Sequence, residues 1–269
     1  MTDLLPELVQ IPVGPFLMGS DEGDAHQRPQ HIVALDAYLV GACPVTNAEY
    51  ARFVRATARR SPGVWELPAI SQFASDDSFR EWAAPYGWVG TEPPAGKLDH
   101  PVVLVSYEDA SEYCRWLKHE TGWAFRLPTE AESEKAARGG LEGKPFPWGD
   151  GLGATNAAFL ADPSLKARMG TRAAKSFPPN GYGVFDAAGN VWTWVADWYR
   201  ADYYSVSDPR NPRGPASGSL RLLRGGAWTS ADQRYLRCAC RHAVPPDTYS
   251  YSIGFRVACA AYNVQLGAQ

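Results

Sequence analysis

The sequence has little of what would assign it to several large protein classes. Its 269 residues include only 5 cysteines, an odd and scattered set that argues against a disulfide framework and favours a reducing, cytoplasmic setting. Lys plus Arg (26) nearly balance Asp plus Glu (29), so the net charge of −3 gives no electrostatic reason to expect nucleic acid. No run approaches the roughly 18 apolar residues of a membrane span, and the first residues lack the basic start of a secretory signal.

The sequence also lacks the patterns of a catalytic metal or acid centre. It has 5 His, and no two of them stand at i and i+4, the spacing that places two ligands on one helix face. Glu130, Glu132 and Glu134 resemble catalytic acids at first sight. They fall in the first turn and a half of a predicted helix, where carboxylates interact favourably with the helix dipole. We therefore interpret them as structural.

Aromatic residues and short alternating segments are abundant instead. The chain holds 10 Trp and 13 Tyr, and its 45% hydrophobic and 20% charged residues are typical of a soluble globular protein. Thr46, Ser106 and Thr129 each stand three positions before an acidic residue, the capping-box pattern that predicts a helix start. Many short strands and turn-rich segments accompany these helices, so the sequence predicts an α+β fold.

A segment at about 60–99 has no clear hydrophobic period. It carries Trp65, Trp82 and Trp88, and so many large aromatic residues argue against disorder. We predict that it is an ordered insertion. Because the sequence contains no repeat, low-complexity segment or linker, we expect 1–269 to form a single domain.

The stretch at 224–258 combines two regular ends with a polar, aromatic middle. Residues 235–242 and 253–257 alternate with period two and predict strands, with every second side chain from Leu236 to Cys240 pointing inward. The segment between them is rich in Tyr and Ser. Loops held by rigid strands often carry binding residues, so this stretch is the first candidate for a functional surface.

Eight motifs, in this order, resemble the formylglycine-generating-enzyme (sulfatase-modifying factor) domain along nearly the whole chain. They lie at 12–19, 44–47, 126–132, 146–149, 178–183, 189–192, 224–226 and 254–256. The resemblance implies a variant C-type lectin fold with small antiparallel sheets, two to three helices and much irregular but ordered loop. It also identifies Ser133 as standing where the family usually has Trp. We predict that a neighbouring aromatic side chain, from the 60–99 insertion, fills that space, because an open hole would cost about 3–5 kcal/mol.

The resemblance also implies where copper would bind in the family's enzymes. Two cysteines between the Gly-Gly pair and the next strand hold copper(I), for which soft thiolates are suitable ligands. The corresponding positions here are Ser230 and Gln233, or Tyr235 with a different gap, and none carries sulfur. We therefore assign no catalytic residue and do not expect oxidation of a sulfatase cysteine. An oxidative enzyme with an altered, copper-cysteine-free site and an accessory partner of such an enzyme remain alternative hypotheses.

Calcium is the one cofactor that the resemblance leaves open. The family has two calcium sites, and one expected carboxylate is missing from each of them in this chain, with Thr193 in place of one Glu. Calcium prefers several hard oxygen ligands, especially carboxylates. The matching residues are Asn156, Ala157, Asp186, Gly189 and Val191.

The end of the chain also resembles the variable proteins of diversity-generating retroelements. Gly-Gly-Ala-Trp at 225–228, Leu-Arg-Cys-Ala-Cys-Arg at 236–241 and Ile-Gly-Phe-Arg at 253–256 occupy the corresponding places. That group randomises template adenines, and from Thr229 to Ser252 only Gln233 lies outside the residue types that a randomised Asn codon reaches.

The resemblance implies a non-catalytic protein whose variable region, 229–252, binds a protein or a small ligand. We expect the contact side chains to converge on one exposed face, where Tyr and Ser are favoured binding residues. Display at a cell or virion surface stays open beside the cytoplasmic expectation. The predicted contact residues are Trp228, Thr229, Ser230, Asp232, Tyr235, His242, Ala243, Val244, Asp247, Thr248, Tyr249, Ser250, Tyr251 and Ser252.

Overall fold

The structure is a computed structural model, and it describes residues 4–65, 76–151, 155–160 and 170–261. The helices are α1 (Asn47–Thr57), α2 (Asp76–Ala83), α3 (Tyr107–Thr121) and α4 (Glu130–Arg138). The strands are β1 (Leu8–Ile11), β2 (Gly14–Met18), β3 (His31–Leu35), β4 (Tyr38–Gly41), β5 (Trp192–Trp198), β6 (Arg221–Arg224), β7 (His242–Val244), β8 (Ile253–Phe255) and β9 (Ala258–Ala260). This composition confirms the predicted α+β class.

The described strands form three small sheets. One has the order β1-β4-β9, a second pairs β2 with β3, and the third has the order β7-β6-β5-β8. All pairs are antiparallel except β5 with β8, which run parallel with Trp192 opposite Ile253 and Trp194 opposite Phe255. The third sheet carries the 224–258 stretch, so the candidate functional surface is attached to the widest sheet.

Capping boxes place three of the helices where the sequence predicts them. The side chains of Thr46, Ser106 and Thr129 each accept the N3 backbone N–H, while the N3 carboxylate accepts the N-cap backbone N–H. The fourth helix, α2, lies in the 60–99 insertion and was not predicted. Its hydrophobic residues are few and widely spaced, and Pro and Gly are frequent in the surrounding segment, so no helical repeat of hydrophobic residues is visible in the sequence.

The main core fills the space between α1, α3 and the third sheet. Tyr50 of α1 stacks on Tyr113 of α3 at a centroid distance of 5.7 Å, and Tyr113 meets Phe255 of β8 edge to face at 5.3 Å. Trp194 of β5 is fully buried, and its indole N–H donates to the Val105 carbonyl at 3.1 Å. Aromatic side chains therefore hold both helices against the sheet that supports the 224–258 stretch.

The strand predicted over 235–242 is wrong except at its last residue, His242. Residues Gln233–Leu236 form a short 3-10 helix, and β7 begins only at His242. The close approach of Gly226 permits this turn, because a Cβ at Gly226 would lie 2.7 Å from the Tyr235 carbonyl oxygen, and its φ is 71°. Leu236, Cys238 and Cys240 are buried as predicted, but Ala239 and Arg241 are buried as well because the chain does not alternate there.

The predicted aromatic filling beside Ser133 is also wrong. A cavity of about 20 Å³ borders Ser133, and none of its lining residues is aromatic. Val40, Val184 and Val191 line it together with three arginines, Arg224, Arg237 and Arg256. Aliphatic and guanidinium groups have closed in on the space, which leaves room for about one water molecule.

A buried ionic network joins α4 to the third sheet. Glu130 accepts from Arg224 at 3.1 Å and from Arg241 at 2.7 Å. Glu134 lies between Arg224, at 2.6 Å, and Arg138, at 2.7 Å. All five side chains are at most 5% exposed. Glu130 and Glu134 therefore hold α4 against β6 and the segment that follows it, through ion pairs that the helix-dipole argument from the sequence did not include.

Asp197 of β5 should make stability depend on pH. Burial, reinforced by the negative charge of Glu130, raises its pKa to about 8 from an unfolded value of 3.8. The folded protein then binds more protons than the unfolded chain between pH 4 and 8, so stability falls as pH rises through that window, by up to about 1.4 kcal/mol per pH unit.

We expect Asp197→Asn, which keeps an acceptor for the Glu130 N–H, to remove that dependence. In denaturant titrations, its advantage over the parent protein should grow from pH 5 to pH 8. The exposed Asp99→Asn is the matched control and should show no such trend. An advantage that is constant with pH would contradict the expectation.

Candidate functional site

The segment that follows β6 begins with a tight turn at Ser230. The Ser230 hydroxyl accepts the Ala227 N–H at 3.0 Å, and the Ser230 N–H donates to the Ala227 carbonyl at 2.9 Å. The Ser230 carbonyl in turn accepts from Leu160 N at 3.0 Å. Ser230 is 5% exposed, so this position closes a turn. Gln233 and Tyr235, the alternatives for the second copper position, are exposed on the 3-10 helix.

These residues do not fit a copper(I) site. Hydroxyl, amide and phenol groups are hard ligands, whereas copper(I) prefers sulfur. The nearby thiols of Cys238 and Cys240 are buried, and burial raises the pKa of each to about 12. A thiol must lose its proton to bind metal or attack a substrate, so both behave as small buried apolar residues.

The insertion covers one half of the predicted contact surface. Phe79 of α2 lies 5.5 Å from the Tyr251 ring, and Tyr86 stacks on Trp228 at 6.3 Å. The Trp228 indole N–H donates to the Tyr251 carbonyl at 3.3 Å, and Trp228 is fully buried. These rings form one hydrophobic cluster.

The prediction that the contact side chains converge on one exposed face is therefore wrong for nearly half of them. The buried residues are Trp228, Ser230, Val244, Thr248, Tyr249 and Ser252. Those at least partly exposed are Thr229, Asp232, Tyr235, His242, Ala243, Asp247, Ser250 and Tyr251. Replacement of Tyr249 by Ala would remove core contacts, because the ring faces Phe79 at 6.4 Å.

The other half of the surface carries three aromatic rings in contact, of which Tyr235 is exposed, His242 is half-buried and Trp192 is buried. The His242 ring stacks on Trp192 with a centroid distance of 5.1 Å and an interplanar angle of 27°. Tyr235 stands edge-on to Trp192 at 5.8 Å and to His242 at 6.4 Å, and it is 41% exposed. We name these three residues the aromatic patch. Solvent reaches the patch through Tyr235 and His242, so its accessible part is aromatic with polar edges.

The pKa values of His242 and its neighbour His26 are both lowered, which favours the neutral imidazole. Burial, followed by repulsion from His26, lowers the pKa of His242. Burial also lowers the pKa of His26, with Arg241 adding to the effect, and His26 Nδ1 lies 3.0 Å from the Tyr199 hydroxyl. A neutral imidazole offers one donor and one acceptor, so the patch has hydrogen-bonding edges without a fixed charge.

The five residues matched to calcium positions lie close together. Asn156 and Asp186 line one pocket of about 230 Å³, and a Cβ at Gly189 would meet the Ala157 Cβ at 3.0 Å. Asp186 is the one carboxylate of the set, it accepts the Lys175 N–H at 3.1 Å, and burial raises its pKa. Thr193, in place of a Glu, is 3.3 Å from the Arg224 carbonyl.

One carboxylate is less negative charge than calcium sites normally use, so these residues do not fit a calcium site. Within the described ranges, no three His, Cys, Asp or Glu side chains are grouped to hold a metal. The helices in those ranges are also too short or too polar to cross a membrane.

Sequence reasoning missed two residues that lie next to His242, namely Trp192 and His26. Trp192 is 8% exposed and reads as an ordinary strand residue, because the sequence does not show that β6 ends beside it in two glycines. His26 lies in a polar loop more than 200 positions from His242. No local sequence signal connects His26 with His242, since their proximity depends on the loop at 20–27 folding against the segment after β6.

Comparison with known proteins agrees with this architecture. Residues 2–261 match the sulfatase-modifying factor enzyme 1-like domain. The formylglycine-generating enzyme of Streptomyces coelicolor is 36% identical over 283 aligned residues, which cover 93% of this chain and 88% of that enzyme.

Two solved structures share the fold. PvdO from Pseudomonas aeruginosa superposes with a TM-score of 0.77 at 28% identity, over 96% of this chain and 95% of that one. Variable protein 1 of Treponema denticola has a TM-score of 0.73 at 24% identity, over 94% of each chain, and this likeness concerns the fold alone. The chain therefore belongs to the sulfatase-modifying factor enzyme 1-like domain family.

Proposed function

We propose that this protein is a non-catalytic ligand-binding member of its family and that the aromatic patch is its contact surface. The observation that carries the proposal is the replacement of a thiol site by a closed turn at Ser230, directly followed by an exposed Tyr235 on a rigid support. The segment presents an ordered surface at the positions where the family's enzymes carry their copper-binding cysteines.

The physical properties of the patch suit binding. Tyrosine supplies a large contact area with few rotatable bonds, so little conformational entropy is lost on binding. Tyr235 is further restrained because its 3-10 helix packs on Gly226. Exposed aromatic residues with a polar edge are frequent energetic centres of interfaces.

The variable-protein interpretation is the finer form of this proposal. A retroelement could change exposed residues such as Tyr235 and Asp247 without disturbing the core. Changes at Trp228, Thr248 or Tyr249 would alter core packing, so fewer positions of this stretch should tolerate substitution. Sequencing the DNA around the gene tests the interpretation. A near-copy of the 229–252 coding stretch, differing only at adenines and close to a reverse transcriptase, supports it, and the absence of such a copy leaves a binding protein of fixed sequence.

An enzyme with an altered site is the second candidate, and one observation favours it. A pocket of about 290 Å³ is lined by charged residues, among them Asp36, Arg126 and Glu132, and by no residue of 229–252. Its charges are mostly paired within the protein. Arg126 binds Glu132 at 2.6 Å, and Asp36 binds Arg210 at 2.8 Å. Such pairs are more typical of structural contacts than of a reactive group, so the binding proposal ranks first.

The first experiment tests the loss of catalysis. We expect no stoichiometric copper(I) binding and no oxidation of a cysteine-containing sulfatase peptide, because no thiol stands at Ser230, Gln233 or Tyr235. Mass spectrometry of the peptide after incubation with copper measures the outcome, and the Streptomyces coelicolor enzyme serves as the positive control. Turnover of the peptide by this protein would contradict the proposal.

The second experiment tests the contact surface. Peptides selected from a randomised phage-display library against the folded protein should lose about tenfold or more in affinity for Tyr235→Ala/His242→Ala, as expected for an interface centre. Val89→Ala, a change at an 84% exposed side chain, should retain the affinity of the parent protein. Equal binding of the selected peptides to all three proteins would place the contact surface elsewhere.

A further inference from the structure

A further pocket lies beside the loop at 20–27 and outside the aromatic patch. It has a volume of about 220 Å³ and more polar than apolar surface. Residues 19–22, Gln30, Arg138, 143–145, Arg237 and Ala239 line it. Neither Tyr235 nor His242 contributes to its walls, so an inference about this pocket does not rest on the proposed function.

The walls of this pocket are held in place by hydrogen bonds. The Gln30 N–H donates to Asp21 Oδ1 at 2.8 Å, and the Cys238 N–H donates to the Pro145 carbonyl at 2.7 Å. Arg138 lies on the inner side and is 5% exposed. Its guanidinium donates to the Gly19 carbonyl at 3.0 Å and to the Lys144 carbonyl at 3.1 Å. The Arg138 guanidinium thus holds the wall at Gly19 and the wall at Lys144 together.

Arg237 is the group in this pocket whose charge is poorly compensated. Its side chain is 21% exposed, and its one ion-pair contact among the described residues is Glu22 at 3.8 Å. Glu22 is 91% exposed and free to turn away. A half-buried guanidinium whose one described carboxylate contact is as long as 3.8 Å can still accept a closer partner, because that distance exceeds the length of a normal hydrogen bond.

The surroundings add to the positive potential. In the buried network as described, the three arginines Arg138, Arg224 and Arg241 face only two glutamates. Arg237 stands beside that network, one residue before Cys238. The guanidinium fork matches the two oxygens of a carboxylate, and Glu22 already approaches it with such a group.

We propose that this pocket binds a small carboxylate-bearing ligand, whose carboxylate displaces Glu22 and forms a bidentate pair with Arg237. The pocket is smaller than most sites for drug-sized molecules, which suits a small metabolite or the carboxylate end of a longer ligand. The departing Glu22 can move into solvent, whereas Asp21 stays in the wall with Oδ1 occupied by the Gln30 N–H. The incoming carboxylate must therefore bind on the Arg237 side of the pocket, away from Asp21.

Nuclear magnetic resonance titration of the labelled protein tests this. The probes are sodium acetate and sodium phosphate, with sodium chloride at equal ionic strength as the baseline. We expect acetate to produce saturable shifts at the Arg237 side-chain N–H and at residues 19–22. Arg237→Gln should weaken acetate binding by about tenfold or more, as expected for the loss of a charge-assisted bidentate pair. Arg234→Gln, at an exposed arginine in the same segment, should bind acetate as the parent protein does.

A second variant keeps the test decisive if Arg237→Gln folds poorly. Glu22→Gln changes a 91% exposed side chain and removes the internal competitor, so it should bind acetate more tightly than the parent protein. Weaker acetate binding by Glu22→Gln would overturn the proposal. So would acetate shifts that persist in a folded Arg237→Gln variant, the absence of saturable shifts with acetate, or saturation with phosphate alone.

Discussion

Glu134→Gln should lower the free energy of unfolding by about 3–5 kcal/mol, because it leaves buried arginines without their counter-charge. Glu134 is fully buried and accepts from Arg138, Arg224 and the Gly19 N–H. Burial alone would raise its pKa, but the guanidinium groups of Arg138 and Arg224 hold the pKa of this carboxyl below its usual value. A Gln amide would direct N–H groups at one of those donors.

Urea unfolding followed by circular dichroism measures this effect. Glu142→Gln makes the same chemical change at an exposed position and should alter stability by less than about 0.5 kcal/mol. Similar stabilities for the two variants would mean that the network contributes little. The network also fixes the carbonyls of Cys238 and Ala239 through Arg224, so Glu134→Gln should loosen the segment that follows β6.

Trp228→Ala should cost about 3–5 kcal/mol of stability, as expected for truncating a buried tryptophan. The Trp228 ring is fully buried and lies 5.8 Å from Tyr251 and 6.5 Å from Trp82. Its loss would open a cavity between β6 and the helix of the insertion. This expectation is opposite to that for a surface contact residue, which Trp228 was predicted to be.

Tyr235→Ala is the matched control, since it truncates an aromatic residue of the same stretch at a position that is 41% exposed. It should change stability by less than about 0.5 kcal/mol. A Trp228→Ala variant as stable as Tyr235→Ala would show that the insertion does not pack on this site in solution. That result would again support Trp228 as an exposed contact residue. A double-mutant cycle of Trp228→Ala with Phe79→Ala would then report how strongly the insertion is coupled to the stretch.

The sequence by itself determined the features that depend on short-range interactions. The helix starts at Thr46, Ser106 and Thr129 were predictable because a capping box joins residues three positions apart. The α+β class followed from the lengths and periods of the segments. The absence of thiols at Ser230, Gln233 and Tyr235 is likewise a property of the sequence, and it carries the argument against copper chemistry.

Only the tertiary structure decided which of the predicted contact residues, from Trp228 to Ser252, meet solvent. Trp228 and Tyr249 are buried because α2, more than 140 positions earlier in the chain, packs Phe79 and its neighbours on them. The prediction of a strand from the two-residue alternation failed because the backbone at Tyr235 approaches Gly226 closely, which allows a 3-10 helix at Gln233–Leu236. The Arg237 pocket forms where a loop near the start of the chain meets the segment after β6. Such contacts join distant parts of the chain, and local propensity and periodicity carry no information about which distant segments will meet.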